Sequence, residues 1–309
     1  MKRIIIAAAV LLVASASFAA DPIKVLIIDG VNNHNWEKTT EATKATLEAT
    51  GRFTVDVSTS PSNEAPKKAW AGWSPAFSDY DVVVSNFNDD CWKDGGCETL
   101  WSPKTQAAFQ RFVRDGGGFV PVHAADNAFT NWPEYNEMIA VGGWGGREAG
   151  VSGYLLRMED GDWQQSSPDE GLSGEHGRRR EFAVVHDKPE HPILKGMPTE
   201  WMHGNDELYS ALRGPAVNVE VLAHSRSLLT EENEPILMLI TFGKGKIAHL
   251  PMGHWSDEPL GSALYCVGFQ ALLARSTEFV ATGKVTIGVP ENFPGKKEAS
   301  IIAPDEVEW

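Results

Sequence analysis

The amino-acid sequence predicts an α/β fold: a doubly wound, mainly parallel sheet flanked by helices, with a β-hairpin near the C-terminal part. Three observations carry this. Short apolar runs and helix-like segments follow one another in strand, helix, strand order over the first 123 residues. One of those runs, Asp81-Val-Val-Val-Ser85, shows no polar alternation, as a strand covered on both faces requires. Later, Gly243-Lys244-Gly245-Lys246 separates two apolar runs, 236–242 and 247–251, in the manner of a hairpin turn.

Taken in order, residues 23–29 form an apolar strand closed by Asp29-Gly30, and residues 36–50, rich in Ala, Glu, Lys and Leu and ended by Gly51, form a helix. Phe53, Val55 and Val57 alternate with polar neighbours as a half-buried strand does. Ser102-Pro103 supplies an N-cap and a proline at the first helical position. Phe109, Phe112 and Val113 share one face of that helix, and Gly116-Gly117-Gly118 stops it. Residues 119–123 follow as a strand, although Pro121 removes a ladder donor from it. The repeated strand-helix-strand order argues for parallel pairing.

From 141 to 177 the composition shifts to Gly, Ser, Glu, Asp and Trp without periodicity, which marks a long loop, a lid insertion or a set of small elements. Strands return at 182–185 and 220–223, a helix spans about 262–277, and 285–289 forms a strand or extended segment. Residues 290–309, rich in Pro, Glu and Lys, are expected to be a loose tail. The chain thus divides into a leader (1–20), one α/β domain (21–289) and a tail.

The leader carries Lys2 and Arg3, an apolar run over 4–13 and small residues ending at Ala19-Ala20. This is the pattern of a signal peptide, and it implies a periplasmic or secreted protein. The formal charge is −15, or −17 once Lys2 and Arg3 are subtracted, which disfavours nucleic acid and anionic membrane as partners. Arg178-Arg179-Arg180 is the local exception, either a solvated turn or an anion site. Cys91 and Cys97 flank a glycine-containing turn and are expected to form a small disulfide in an oxidising compartment. Cys266 lies in an apolar run and reads as a buried structural thiol, with nothing nearby to form its thiolate.

In a doubly wound sheet, ligands collect beyond the carboxyl ends of the strands. Three such ends carry a histidine: Asn32-Asn33-His34-Asn35-Trp36, His123-Ala124-Ala125-Asp126-Asn127 and Gly253-His254-Trp255. A fourth polar segment contains Asp206-Glu207. A strand-end histidine serves either as a capping group or in chemistry, and Asp206-Glu207 either starts a short helix or supplies a carboxylate. In the chemical reading, His123 is a general base or metal ligand, and His34 and His254 are proton-transfer partners or ligands. Asp206 or Glu207 is then the orienting or acid/base carboxylate. Imidazoles with a carboxylate suit a divalent metal such as Zn, for which His34, His123 and His254 are the candidate ligands. Trp36, Trp132, Trp144 and Trp255 lie near these clusters. Flat indoles beside polar groups suit a sugar, so Asn33, Trp36, Asp126, Asn127, Trp144 and Trp255 are the candidate substrate contacts. The sequence contains no His-Glu-x-x-His zinc motif, phosphate loop, dinucleotide fingerprint or Gly-x-Ser-x-Gly elbow.

Four ordered motifs resemble those of the ThuA-like (trehalose utilisation) family. They are Gly116-Gly117-Gly118 running into His123-Ala124, His191-Pro192-Ile193, Asp206-Glu207-Leu208-Tyr209, and Phe242-Gly243-Lys244-Gly245-Lys246-Ile247 followed by Gly253-His254. The resemblance covers about residues 24–277. Two positions depart from the family pattern, Lys246 in place of arginine and Pro121 in place of a small residue. The resemblance implies a class I glutamine amidotransferase-like (flavodoxin-like) sheet with His123 at the position of the cysteine nucleophile, which excludes glutamine hydrolysis by a thiolate. It also implies a role in disaccharide breakdown, at the stage of 3-keto sugars made by a partner sugar dehydrogenase. The alternative on the same fold is a non-catalytic carbohydrate-binding protein.

Overall fold

A computed structural model describes residues 21–89, 100–151, 153–257 and 263–309. The expected leader and the Cys91–Cys97 loop lie outside the described residues. The first half contains β1 (Ile23–Asp29), α1 (Trp36–Ala49), β2 (Phe53–Thr59), α2 (Lys67–Gly72), β3 (Val82–Ser85), α3 (Pro103–Asp115), β4 (Gly118–Pro121) and α4 (Pro133–Ile139). The second half is strand-rich. It runs through β5 (Tyr154–Glu159), β6 (Asp162–Gln165), β7 (Glu175–His176), β8 (Arg180–His186), β9 (Glu200–Asp206), β10 (Tyr209–Ser210) and β11 (Arg213–Gly214). Then come β12 (Val219–Arg226), β13 (Asn233–Phe242), β14 (Gly245–His249) and the closing helix α5 (Val267–Thr282).

Local signals act as the sequence implies. Asn35 caps α1 by accepting from Lys38 N, and Ser102 caps α3 by accepting from Thr105 N ahead of Pro103. Gly116, at φ +127°, ends α3 in a backbone conformation that a side chain would strain. β4 ends at Pro121, whose carbonyl still accepts from Leu250 N.

Nine strands form one mixed sheet in the order β2-β1-β3-β4-β14-β13-β12-β8-β9. Pairing is parallel from β2 to β14 and antiparallel from β14 to β9. The mainly parallel expectation therefore holds for one half only, because after residue 141 the chain returns through antiparallel strands instead of crossover helices. β1 shows how the sheet is filled. Val25 and Ile27 face one core with Leu47 of α1 and Phe269 and Leu272 of α5, while Leu26 and Ile28 face another with Phe109 and Val113 of α3 and Met138 of α4. Alternate residues point to opposite faces, and both faces are covered, which is why the strand reads as continuously apolar. α5 lies close enough to the sheet that a Cβ on Gly268 would come within 2.3 Å of the Trp201 ring. No helix among the described residues is long and apolar enough to cross a membrane.

One segment matches one of its alternatives and another departs from expectation. Of the alternatives for residues 141–177 the structure shows the set of small elements: β5 and β6 pair antiparallel and are extended by β11. Buried Arg213 fixes this region by donating to the carbonyls of Gly153, Pro168, Glu170 and Leu172. Residues 290–309 are not a loose tail. Met202 N donates to Gly295 O, Val267 N to Ser300 O and Ile302 N to Tyr265 O, with Pro304 and Val307 buried. The polar composition of this segment conceals Phe293, Ile301 and Trp309, which pack against the core.

Residues 285–289 form no strand. The backbone donors of Thr286 and Ile287 go instead to the buried carboxylate of Glu278, which also accepts from Arg52. Burial pushes the Glu278 pKa up, but these hydrogen bonds outweigh it and hold the pKa below the ordinary value of 4.5. A depressed pKa contributes stability that is present above pH 4.5 and is lost as pH falls through the folded-state value. Glu278→Gln is therefore expected to cost about 1–3 kcal/mol at neutral pH, from the charge-assisted bonds it weakens. In urea unfolding the difference from wild type should shrink on acidification below 4.5. A gap that does not change with pH would refute the assignment.

Candidate active site

β1, β4, β14 and β9 all point the same way, since β1, β4 and β14 are mutually parallel through their neighbours and four antiparallel steps separate β14 from β9. Their carboxyl ends therefore share one edge, where His34, His123, His254 and Glu207 follow them. Four strand spacings in a flat sheet would put β9 about 19 Å from β14. That gap is closed beyond the strand ends, where Asp206, at the end of β9, accepts from Gly253 N at 2.8 Å and His254 N at 3.1 Å in the loop that follows β14.

Each histidine is held by its backbone. The loop carrying His34 turns at Gly30 (φ +106°), and its Asn32 side chain accepts from His34 N and donates to the Asn86 carbonyl beyond β3. His123 stands at φ +46°, a left-handed conformation that non-glycine residues seldom adopt, at the turn from β4 into a short 3₁₀ helix. Its Nδ1 lies 3.0 Å from the Pro251 carbonyl. A carbonyl only accepts, so Nδ1 carries a proton and Nε2 faces the cluster. Gly253 (φ +113°) makes the turn that presents His254.

The three rings meet with centroids 4.6 Å (His34–His254), 4.9 Å (His34–His123) and 5.4 Å (His123–His254) apart. Glu207 Oε2 lies 3.3 Å from His254 Nδ1 and 3.6 Å from His123 Nε2. One donor atom from each of the four residues falls within 4.8 Å of the others. Burial, reinforced by the charges of His123 and His254, lowers the His34 pKa to about 3, so this imidazole is neutral at ordinary pH. Burial also disfavours a charged His123, but Glu207 and Asp206 raise its pKa above the ordinary value. Conversely, His123 and His254 hold Glu207 well below the usual carboxylate range despite its burial.

Asp206 does not face the cluster. Its carboxylate is fully buried and accepts from His203 Nε2 at 2.8 Å and Glu207 N at 2.7 Å, besides the two bonds to the His254 turn. It is the orienting carboxylate, and Glu207 is the reactive one. Cys266 is buried as expected, yet it is not without a neighbour of consequence. Burial raises its pKa, but contact with His203 outweighs this and lowers it.

Of the expected substrate contacts, Trp144 is half-buried with its ring 4.7 Å from Tyr209, and exposed Asn33 touches His34 and accepts from Asn88. Asn127 is buried, with its side chain near that of Tyr209. Asp126 turns into the interior, fully buried and 3.6 Å from His249. Trp36 begins α1, Trp255 packs on Tyr265 and bonds Asp257, and Trp132 belongs to the core. Two residues at the site were not expected. The Tyr209 hydroxyl lies 3.1 Å from His123 Nε2, and His176 Nε2 lies 3.9 Å from Glu207. His176 sits in a two-residue strand paired with Tyr209, too short to leave a pattern in the sequence.

The profile of the ThuA family, described as trehalose utilisation, matches residues 24–262. The chain belongs to the ThuA family. Among solved structures it is similar to a ThuA-like protein from Parabacteroides merdae at 37% identity, with 92% of this chain and 99% of that one covered and a TM-score of 0.84. A second ThuA-like protein, from Bacteroides uniformis, is 18% identical over 89% of this chain and 98% of that one, with a TM-score of 0.55, a likeness of fold alone. A comparison with curated proteins gave no match. The ThuA motifs recognised in the sequence end at the cluster: the triglycine strand delivers His123, the Asp-Glu-Leu-Tyr segment delivers Asp206, Glu207 and Tyr209, and the Phe242–Ile247 segment leads to His254.

Proposed function

We propose that this ThuA-family protein is an exported enzyme that cleaves or isomerises a disaccharide or 3-keto-glycoside, with His123 as the proton-transferring base. The observation that carries this reading is the convergence of His34, His123, His254 and Glu207 within 4.8 Å. The leader-like first 20 residues support export, and the parallel order β2-β1-β3-β4-β14 supports the amidotransferase-like placement of His123 at a strand-to-helix turn.

His34, His254 and Glu207 would hold a divalent cation such as Zn: two imidazoles, one of them neutral down to about pH 3, and an ionised carboxylate, which leaves His123, its Nδ1 anchored to a backbone carbonyl, with Nε2 free as the base. Such a cation, when bound, would supply Lewis acidity toward a sugar oxygen. The remaining chemistry belongs to the side chains. His123 Nε2 takes the proton from a carbon beside the ketone, whose electron pair moves onto the ketone oxygen. Glu207 stabilises the resulting imidazolium, and the Tyr209 hydroxyl lies within reach to relay the proton. A glycosidase acting on unoxidised sugar requires two facing carboxylates. Among the described residues only Glu207 turns its carboxylate to the cluster, which favours the keto-sugar.

The test is metal analysis of the mature protein together with incubation with trehalose and 3-keto-trehalose, read by mass-resolved product detection. Conversion of the keto-sugar is expected, with loss of activity on chelation and recovery on adding Zn. Binding of sugar without any product would replace this reading by that of a carbohydrate-binding protein.

A further inference from the structure

Of the three consecutive arginines, the fold uses one. The Arg180 guanidinium donates to the carbonyls of Glu181 and Arg226 and lies 6.0 Å over the Phe182 ring. Arg178 and Arg179 are exposed, and among the described residues neither makes an ion pair. Both line a cavity of about 660 Å³ whose other walls are His176, Gly177, Asn205 and Glu207. Glu207 is the carboxylate of the histidine cluster, so this cavity opens onto the candidate active site. The chain just before the arginines is fixed, because His176 and Glu175 pair with Tyr209 and Ser210, and Gly174 N donates to Ala211 O.

Two guanidinium groups can donate to the hydroxyls of a neutral sugar, but an anionic group uses their charge as well. In a chain of net charge −15, this pair is a local reversal of sign. Glu207, the acid of the cavity, is already matched by His123 and His254, which leaves the guanidinium charge to act on a ligand. Guanidinium forks bind carboxylate and phosphate bidentately, and the depression they line is open enough to admit a ligand from solvent.

We infer that the preferred substrate is an acidic glycoside, one whose carboxylate or phosphate Arg178 and Arg179 receive while the sugar ring reaches the histidine cluster, with a neutral 3-keto-glycoside turned over less well. The inference rests on the sugar-directed reading above and names its substrate class. Glu207 fixes the inner end of the ligand path and the arginines its outer end.

Equilibrium binding of glucuronate, glucose 6-phosphate and glucose to the intact, Zn-supplemented protein tests this, with R178A/R179A and R178K/R179K compared. At least one acidic sugar is expected to bind about tenfold or more tighter than glucose, as one or two charge-assisted contacts provide. The ratio should collapse toward one in R178A/R179A and recover in part in R178K/R179K. The preference between glucuronate and glucose 6-phosphate then tells carboxylate from phosphate. Equal binding of acidic and neutral sugars, or a preference that survives R178A/R179A, overturns the inference and leaves the sugar reading standing. Failure of all three sugars to bind overturns the inference and leaves the keto-glycoside reading to the 3-keto-trehalose assay. Tight binding of the acidic sugar without turnover of any glycoside upholds the inference while the catalytic reading fails.

Discussion

Turnover is expected to fall by about a hundred- to ten-thousandfold in His123→Ala, the range that loss of a general base produces. The chain should still fold. The backbone at residue 123 is left-handed, φ +46°, and alanine is strained there as histidine already is. His123→Asn is the sharper control, because asparagine tolerates that conformation while removing the imidazole. Both variants keep His34, His254 and Glu207, so bound Zn should persist while activity falls. Retention of turnover within about tenfold in a folded His123→Asn protein would remove His123 from the chemistry.

Asp206→Asn is expected to damage both stability and site, by about 3–5 kcal/mol in urea unfolding, as when one member of a buried charge pair is neutralised. The wild-type carboxylate receives four donors: His203 Nε2 and the backbone N–H groups of Glu207, Gly253 and His254. An asparagine amide meets one half of these with its own N–H groups, setting donor against donor. Burial opposes a charge on His203, yet Cys266 and Asp206 raise its pKa above the ordinary value, so an imidazolium would be left without its counter-charge. The same carboxylate holds the Glu207 and His254 segments together, so residual folded protein should show a lowered kcat on a 3-keto-glycoside. A variant as stable as wild type would mean that Asp206 is not the joint between these segments.

The sequence displayed those parts of the fold and site that depend on local pattern. The apolar runs before His34, His123 and His254 end where the strands end, and the carboxyl-edge rule then places the three histidines together. What depended on long-range closure was hidden. Glu207 could not be told from Asp206 until the loop after β14 met the end of β9, setting Asp206 on Gly253 and leaving Glu207 facing the rings. Asp126 follows His123 by three residues, but a 3₁₀ turn carries it inward to His249. The C-terminal segment misled for a compositional reason, since a few apolar anchors among many polar residues suffice to fasten an extended chain.

The seam between β4 and β14 also sets an order of events in folding. His123 and Pro251 are 128 residues apart, yet they are joined across this seam, next to the parallel contact of Phe119 with Ile247. Pairing of that kind comes late, since a long loop must close before any contact rewards it. A partly folded chain that has assembled only β1 to β4 carries His34 and His123 side by side but has no active centre. The centre comes into being with the closure itself, so recovery of activity on refolding should follow the slowest long-range step and lag behind the return of helical structure.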